Sequence, residues 1–167
     1  VQTCALPISH TMGLGKTMQV ITLLVAIAEA ACSEDLSVSS QIPERLKRSR
    51  TLILSPPGLM DNWMDELLTW VPEEDVGPKI GRFRKVDSNS KFEDRLAEID
   101  LWYKNGGILL LGFEMFRNIL NMGPNENKRS KMDQATFEVV EEQLLKGPNI
   151  IIADEAHKLK NMSSALT

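Results

Sequence analysis

Two short stretches constrain this chain more than any other. They are Met12-Gly13-Leu14-Gly15-Lys16-Thr17 near its start and Ile150-Ile151-Ile152-Ala153-Asp154-Glu155-Ala156-His157 near its end. In the first, Gly13 and Gly15 let the backbone turn sharply and aim N–H groups at phosphate oxygens. The helix predicted to follow adds its positive N-terminal end. Lys16 can neutralise the β- and γ-phosphates, and Thr17 can offer its hydroxyl oxygen to Mg²⁺. The strict pattern G-x-x-x-x-G-K-[ST] puts glycine at position 10, where this chain has His10. The loop alone therefore leaves an ordinary helix start open. The second stretch is an apolar strand ending in an Asp-Glu pair, which places acids at the carboxyl edge of a sheet, where ligands bind in open α/β folds. Asp154 can hold Mg²⁺ directly or through water, and Glu155 can orient or deprotonate an attacking water. The competing reading of the pair is a helix N-cap and first-turn acid. Taken together and in this order, the two stretches predict a nucleotide and Mg²⁺ held across one sheet.

The chain has 167 residues, of which 43% are hydrophobic and 25% charged, so it is long enough for one globular domain with a substantial core. A net charge of -4 argues against a strongly basic nucleic-acid module; any such contact must come from local patches. The two cysteines, Cys4 and Cys32, form no CxxC pair, which argues against a disulfide framework or zinc site and for a reducing compartment. The apolar run at residues 20–31 contains Thr22 and Glu29 and falls short of the ~20 residues that span a bilayer. There is no secretory signal pattern. Residues 1–8 resemble the translation of a sequencing-adaptor oligonucleotide and are set aside from fold reasoning. The chain reads as a fragment of a longer protein, cut at both ends.

Between the two stretches, strands and helices alternate. Residues 16–32 predict a helix packed against a sheet, and residues 33–50 a polar loop with a basic cluster, Arg45, Lys47, Arg48 and Arg50, read as a solvated face. Residues 51–55 form a buried strand, broken by Pro56-Pro57-Gly58, with Pro57 in the first turn of a helix over 59–70. Leu59, Trp63, Leu67 and Trp70 recur there at helical spacing. A short strand is expected at 79–83. A helix capped by Ser88 or Ser90 then runs to about Lys104 and ends at Asn105-Gly106-Gly107. Residues 108–112 are the next buried strand, 113–120 a short helix, 121–130 a loop and 132–146 an amphipathic helix stopped by Gly147-Pro148, followed by a strand over 149–154. Continuous apolar strands between helices imply a mainly parallel sheet covered on both faces.

Four segments in order, Met-Gly-Leu-Gly-Lys-Thr at 12–17, Leu-Ser-Pro-Pro-Gly-Leu-Met-Asp-Asn-Trp at 54–63, Leu-Leu-Gly-Phe-Glu-Met-Phe-Arg at 110–117 and Asp-Glu-Ala-His-Lys-Leu-Lys-Asn at 154–161, resemble helicase motifs I, Ia, Ib and II of Swi/Snf-type ATPases within superfamily 2. The resemblance implies a three-layer RecA-like P-loop fold, incomplete at both ends, with residues 9–167 as part of the first motor lobe. It implies ATP and Mg²⁺ as cofactors and double-stranded DNA, chromatin and nucleosomes as partners. A second RecA-like lobe of the same polypeptide is also implied, as are a nuclear location and no membrane association. By resemblance, Gly13, Leu14, Gly15, Lys16, Thr17 and His157 bind the nucleotide, His157 coupling that site to later motifs. Thr17 and Asp154 hold the metal, and Lys16, Asp154 and Glu155 serve catalysis. Ser55, Pro56 and Trp63 lie on or beside the surface that tracks DNA, with core packing the competing reading of Trp63. The parent protein is then expected to hydrolyse ATP while translocating on duplex DNA, remodelling nucleosomes or other protein–DNA complexes. The isolated fragment, lacking an arginine finger that contributes ~10³–10⁵ in rate, is expected to be almost inactive. The alternatives are an RNA or DNA helicase of another superfamily 2 type, or a non-catalytic fragment with a decayed P-loop.

Overall fold

The computed structural model describes residues 15–71, 79–123 and 132–156. Helix α1 spans Lys16–Ala31, and a four-residue turn of helix, α2, spans Leu36–Ser39. Strand β1 (Arg50–Ser55) leads through a 3₁₀ turn (Pro57–Leu59) into α3 (Met60–Trp70). After β2 (Phe83–Lys85) come α4 (Phe92–Asn105), β3 (Gly107–Gly112), α5 (Phe113–Leu120), α6 (Gln134–Leu145) and β4 (Ile150–Ala153). The strands lie in the order β2-β3-β1-β4 and every pairing is parallel. This is the parallel sheet expected from the continuous apolar strands.

Alternate side chains of each strand feed opposite layers. Ile53, Ile108 and Leu110 face α1 and α3, meeting Ile21, Leu24, Trp63 and Leu67. Leu52, Leu54, Leu109 and Leu111 face α4, α5 and α6, meeting Ile99, Trp102, Phe113, Val140 and Leu144. The result is the three-layer sandwich of a RecA-like lobe. Among the described residues no helix is long and apolar enough to cross a membrane.

Several local expectations shift. The strand expected at 79–83 begins instead at Phe83, because Gly81 turns the chain at φ 83° and lies against Gly107; extended pairing starts only beyond it. Neither Ser88 nor Ser90 caps α4. The N-cap is Lys91, and Arg95 reaches back to the carbonyls of Ser90 and Ser88, using the serine backbone rather than the hydroxyls. In α3, Met60, Trp63 and Leu67 face inward, while Leu59, in the 3₁₀ turn ahead of the helix, and Trp70, its last residue, stand exposed. Trp70 turns its indole N–H to Glu66 at the surface. The polar stretch 33–50 contains α2 and a 3₁₀ turn (Glu44–Leu46). Its basic cluster is only partly a solvated face, since Arg48 and Arg50 donate to the carbonyls of Lys104 and Tyr103 at the C-terminal end of α4, where helical carbonyls lack partners. Most of the loop expected at 121–130 lies outside the described residues.

Candidate functional site

The first turn of α1 is a helix start without a side-chain cap. Gly15 sits at the N-cap with φ 67° and ψ 29°, a left-handed conformation open to glycine, and its carbonyl accepts the first helical bond from the N–H of Gln19 at 3.0 Å. The N–H groups of Lys16, Thr17 and Met18 precede that first bond and have no intrahelical acceptor. Lys16 and Thr17 are both half-buried.

Where this turn lies follows from the other end of the helix. Leu24, Ile27 and Ala28 share a small crevice with Arg50 and Thr51, at the start of β1, and with Asn149 and Ile150, at the start of β4. The C-terminal half of α1 therefore lies over the amino ends of these strands. From Ala28 back to Lys16 is twelve helical steps, about 18 Å; from Ile150 to Asp154 is four extended steps, about 13 Å. Helix α1, packed on the sheet through Ile21, Leu24 and Ala28, is thus longer than the strands beneath it, long enough to reach the carboxyl edge of the sheet.

Asp154 and Glu155 sit at that edge. Strand β4 lies beside β1, with Ala153 paired to Leu54, and the N–H of Asp154 donates to the carbonyl of Leu54 at 2.9 Å, so the ladder holds the backbone to its last residue. Glu155 then takes φ 55°, uncommon for a residue with a side chain, within a turn over residues 154–156. The Asp154 carboxylate is also held: Trp63 Nε1–H donates to Oδ2 at 2.9 Å, across 91 residues of sequence. That contact was not foreseen. The spacing of Trp63 and Leu67 marked an inward face, but nothing in the order of residues named the acceptor.

Trp63 is only 3% exposed, so its ring belongs to the core rather than to a surface that could stack on or track DNA. Ser55 is fully buried and its hydroxyl donates to the carbonyl of Pro56 at 3.4 Å, whereas Pro56 itself is half-buried. Of these three, only Pro56 presents surface. Gly13, Leu14 and His157 lie outside the described residues. A separate cleft of about 370 Å³ opens beyond the ends of β2 and β3, between Met60, Lys85, Phe92, Gly112 and Met122, and shares no lining residue with Lys16, Asp154 or Glu155.

The donor set suits a hard cation. Asp154 and Thr17 offer oxygen, and among the described residues no three His, Cys, Asp or Glu side chains gather into an all-protein cage. Mg²⁺ is commonly held by one or two carboxylates together with substrate phosphates, which is the arrangement these residues can provide.

Known proteins resemble this chain along nearly its whole length. Residues 2–167 match the SNF2-related domain. The chain is 30% identical over 167 residues to the Transcriptional regulator ATRX homolog of Caenorhabditis elegans, covering 96% of this chain and 12% of that protein. It is 32% identical over 160 residues to Protein CHROMATIN REMODELING 20 of Arabidopsis thaliana, covering 96% of this chain and 9% of that protein. Against human Transcriptional regulator ATRX the identity is 28% over 162 residues, with 96% and 6% coverage. The chain thus spans about a tenth of the length of these relatives. A glycine–lysine–threonine helix start packed on a parallel sheet, an Asp-Glu pair at the end of β4 and a match along residues 2–167 lead to one conclusion: the chain belongs to the SNF2-related domain family.

Proposed function

We propose that residues 9–167 are the nucleotide-binding part of the first motor lobe of a DNA-dependent ATPase that translocates on duplex DNA and remodels nucleosomes or other protein–DNA complexes in the nucleus. The observation that supports this reading is a glycine–lysine–threonine helix start on a helix long enough to span the parallel sheet, whose carboxyl edge carries the Asp154-Glu155 pair.

In this reading the free N–H groups at the start of α1 take phosphate oxygens, and Lys16 neutralises the β- and γ-phosphates of ATP. Asp154 and Thr17 would hold Mg²⁺, which supplies charge stabilisation to the triphosphate when bound. Glu155, in the turn that follows β4, accepts the proton of the attacking water. An arginine from a second RecA-like lobe completes the site; without it, these 167 residues bind nucleotide weakly and turn it over negligibly. DNA contact on this lobe falls to exposed groups near Pro56 rather than to the buried Trp63 or Ser55.

A titration with a fluorescent ATP analogue in Mg²⁺, on the wild-type chain and on Lys16→Ala, tests the nucleotide site. The reading expects Lys16→Ala to weaken binding at least about tenfold, the loss of one charged contact to phosphate. Equal binding by both would favour a decayed loop. Turnover near one per second by the isolated chain would contradict the need for a second lobe.

A further inference from the structure

We propose that Trp63 is a positioning residue for Asp154: its indole N–H fixes one carboxylate oxygen and thereby sets the side chain for a Mg²⁺·nucleotide. The inference rests on the reading of Asp154 as a metal-holding residue and assigns the group that holds it.

The chemistry of the donor supports this role. An indole N–H only donates and carries no charge. It can orient a carboxylate without cancelling the negative charge that attracts a divalent cation. A lysine or arginine in the same place would compete with the metal. The donor is also rigid. The Trp63 ring is packed in the core formed by α1, α3 and one face of the sheet, together with Ile21, Ile53 and Leu67. The acceptor is otherwise unclaimed, for among the described residues no second donor reaches the Asp154 carboxylate, and Oδ1 remains the oxygen available to a metal. Asp154 is then held twice, its backbone by the carbonyl of Leu54 and its side chain by α3. Groups that hydrogen-bond metal-binding carboxylates typically contribute about 10–100-fold in metal affinity.

Two readouts on the 167-residue chain test the proposal. The first is the ¹⁵N–¹H spectrum of the three indoles. The Trp63 signal moves upfield in Asp154→Ala and part of the way in Asp154→Asn, whereas that of Trp102, bonded to the carbonyl of Gly107, stays in place. The second is nucleotide affinity in Mg²⁺ against affinity in EDTA. Trp63→Phe keeps an aromatic ring but removes the donor; it reduces the Mg²⁺-dependent gain about tenfold and leaves the EDTA affinity unchanged. A merely structural role would lower both affinities together. A Trp63 signal indifferent to Asp154, or a Mg²⁺ gain unchanged in Trp63→Phe, overturns the proposal. If Lys16→Ala leaves the affinity in Mg²⁺ unchanged, the nucleotide reading fails, and the role of Trp63 with it.

Discussion

Arg50 holds its guanidinium 4.7 Å from the ring centroid of Tyr103 and donates from Nη1 to the backbone carbonyl of the same residue at 3.2 Å. One side chain thus joins the start of β1 to the end of α4, combining a stacked cation with a helix C-terminal acceptor. Lysine has the charge but not the planar fork. Arg50→Lys is expected to cost about 1–2 kcal/mol in urea unfolding, the sum of a lost stack and a poorer hydrogen bond. An unchanged midpoint would show the contact to be incidental.

Gly107 opens β3 at φ 99°, and a Cβ there would stand 2.2 Å from the carbonyl oxygen of Arg82, a backbone atom of the neighbouring segment that pairs with Ile108. Strain and collision act together. Gly107→Ala is expected to lose at least about 3 kcal/mol and to loosen β2, seen as faster amide exchange at Val86, whose N–H bonds to Leu110. Wild-type stability in this variant would mean that β2 lies elsewhere.

Position in the sheet should decide the cost of truncation. Leu110, in central strand β3, is fully buried, whereas Ile151, on β4 at the edge of the sheet formed by the described residues, is 55% exposed. Leu110→Ala is expected to cost about 2–5 kcal/mol and Ile151→Ala under about 1 kcal/mol, read from denaturant midpoints. The reverse order would refute the strand order described above.

Asp133 caps α6, accepting from the backbone N–H and the hydroxyl of Thr136, and these bonds hold its carboxyl below the ordinary value of 3.8. The folded carboxylate therefore titrates lower than the unfolded one. Its contribution is complete above 3.8 and fades as pH falls through the lower folded value. Asp133→Ala should lower the melting temperature at pH 7, and the gap to wild type should narrow steadily below pH 3.8. A gap that does not change with pH would mean the cap acts without its charge.

Much of this fold was legible because its strands are doubly buried and so read as plain apolar runs: 51–55 and 108–112 fall within one residue of β1 and β3, and α5 begins and ends where its pattern does. Strand β2 was misplaced because three residues with Arg84 and Lys85 at an edge carry little apolar signal, and the glycine turn that positions it acts through Gly107, distant in sequence. The α4 cap was misassigned because Arg95 competes for the same loop. At the candidate site, sequence motifs pointed to Lys16, Thr17, Asp154 and Glu155 as the residues to test. The contact between Trp63 and Asp154 was invisible, since periodicity tells which way a side chain faces but not what it meets.

Replacing Mg²⁺ with paramagnetic Mn²⁺ beside a bound, non-hydrolysable ATP analogue shows whether the start of α1 and the end of β4 share one ion, because broadening of amide signals falls steeply with distance from it. The amides of Lys16 and Thr17 and those of Asp154 and Glu155 are expected to broaden together at substoichiometric Mn²⁺, while those of Lys146 and Arg50, before β4 and at the start of β1, stay sharp. Broadening confined to one of the two segments, or to neither, would contradict a shared metal–nucleotide site.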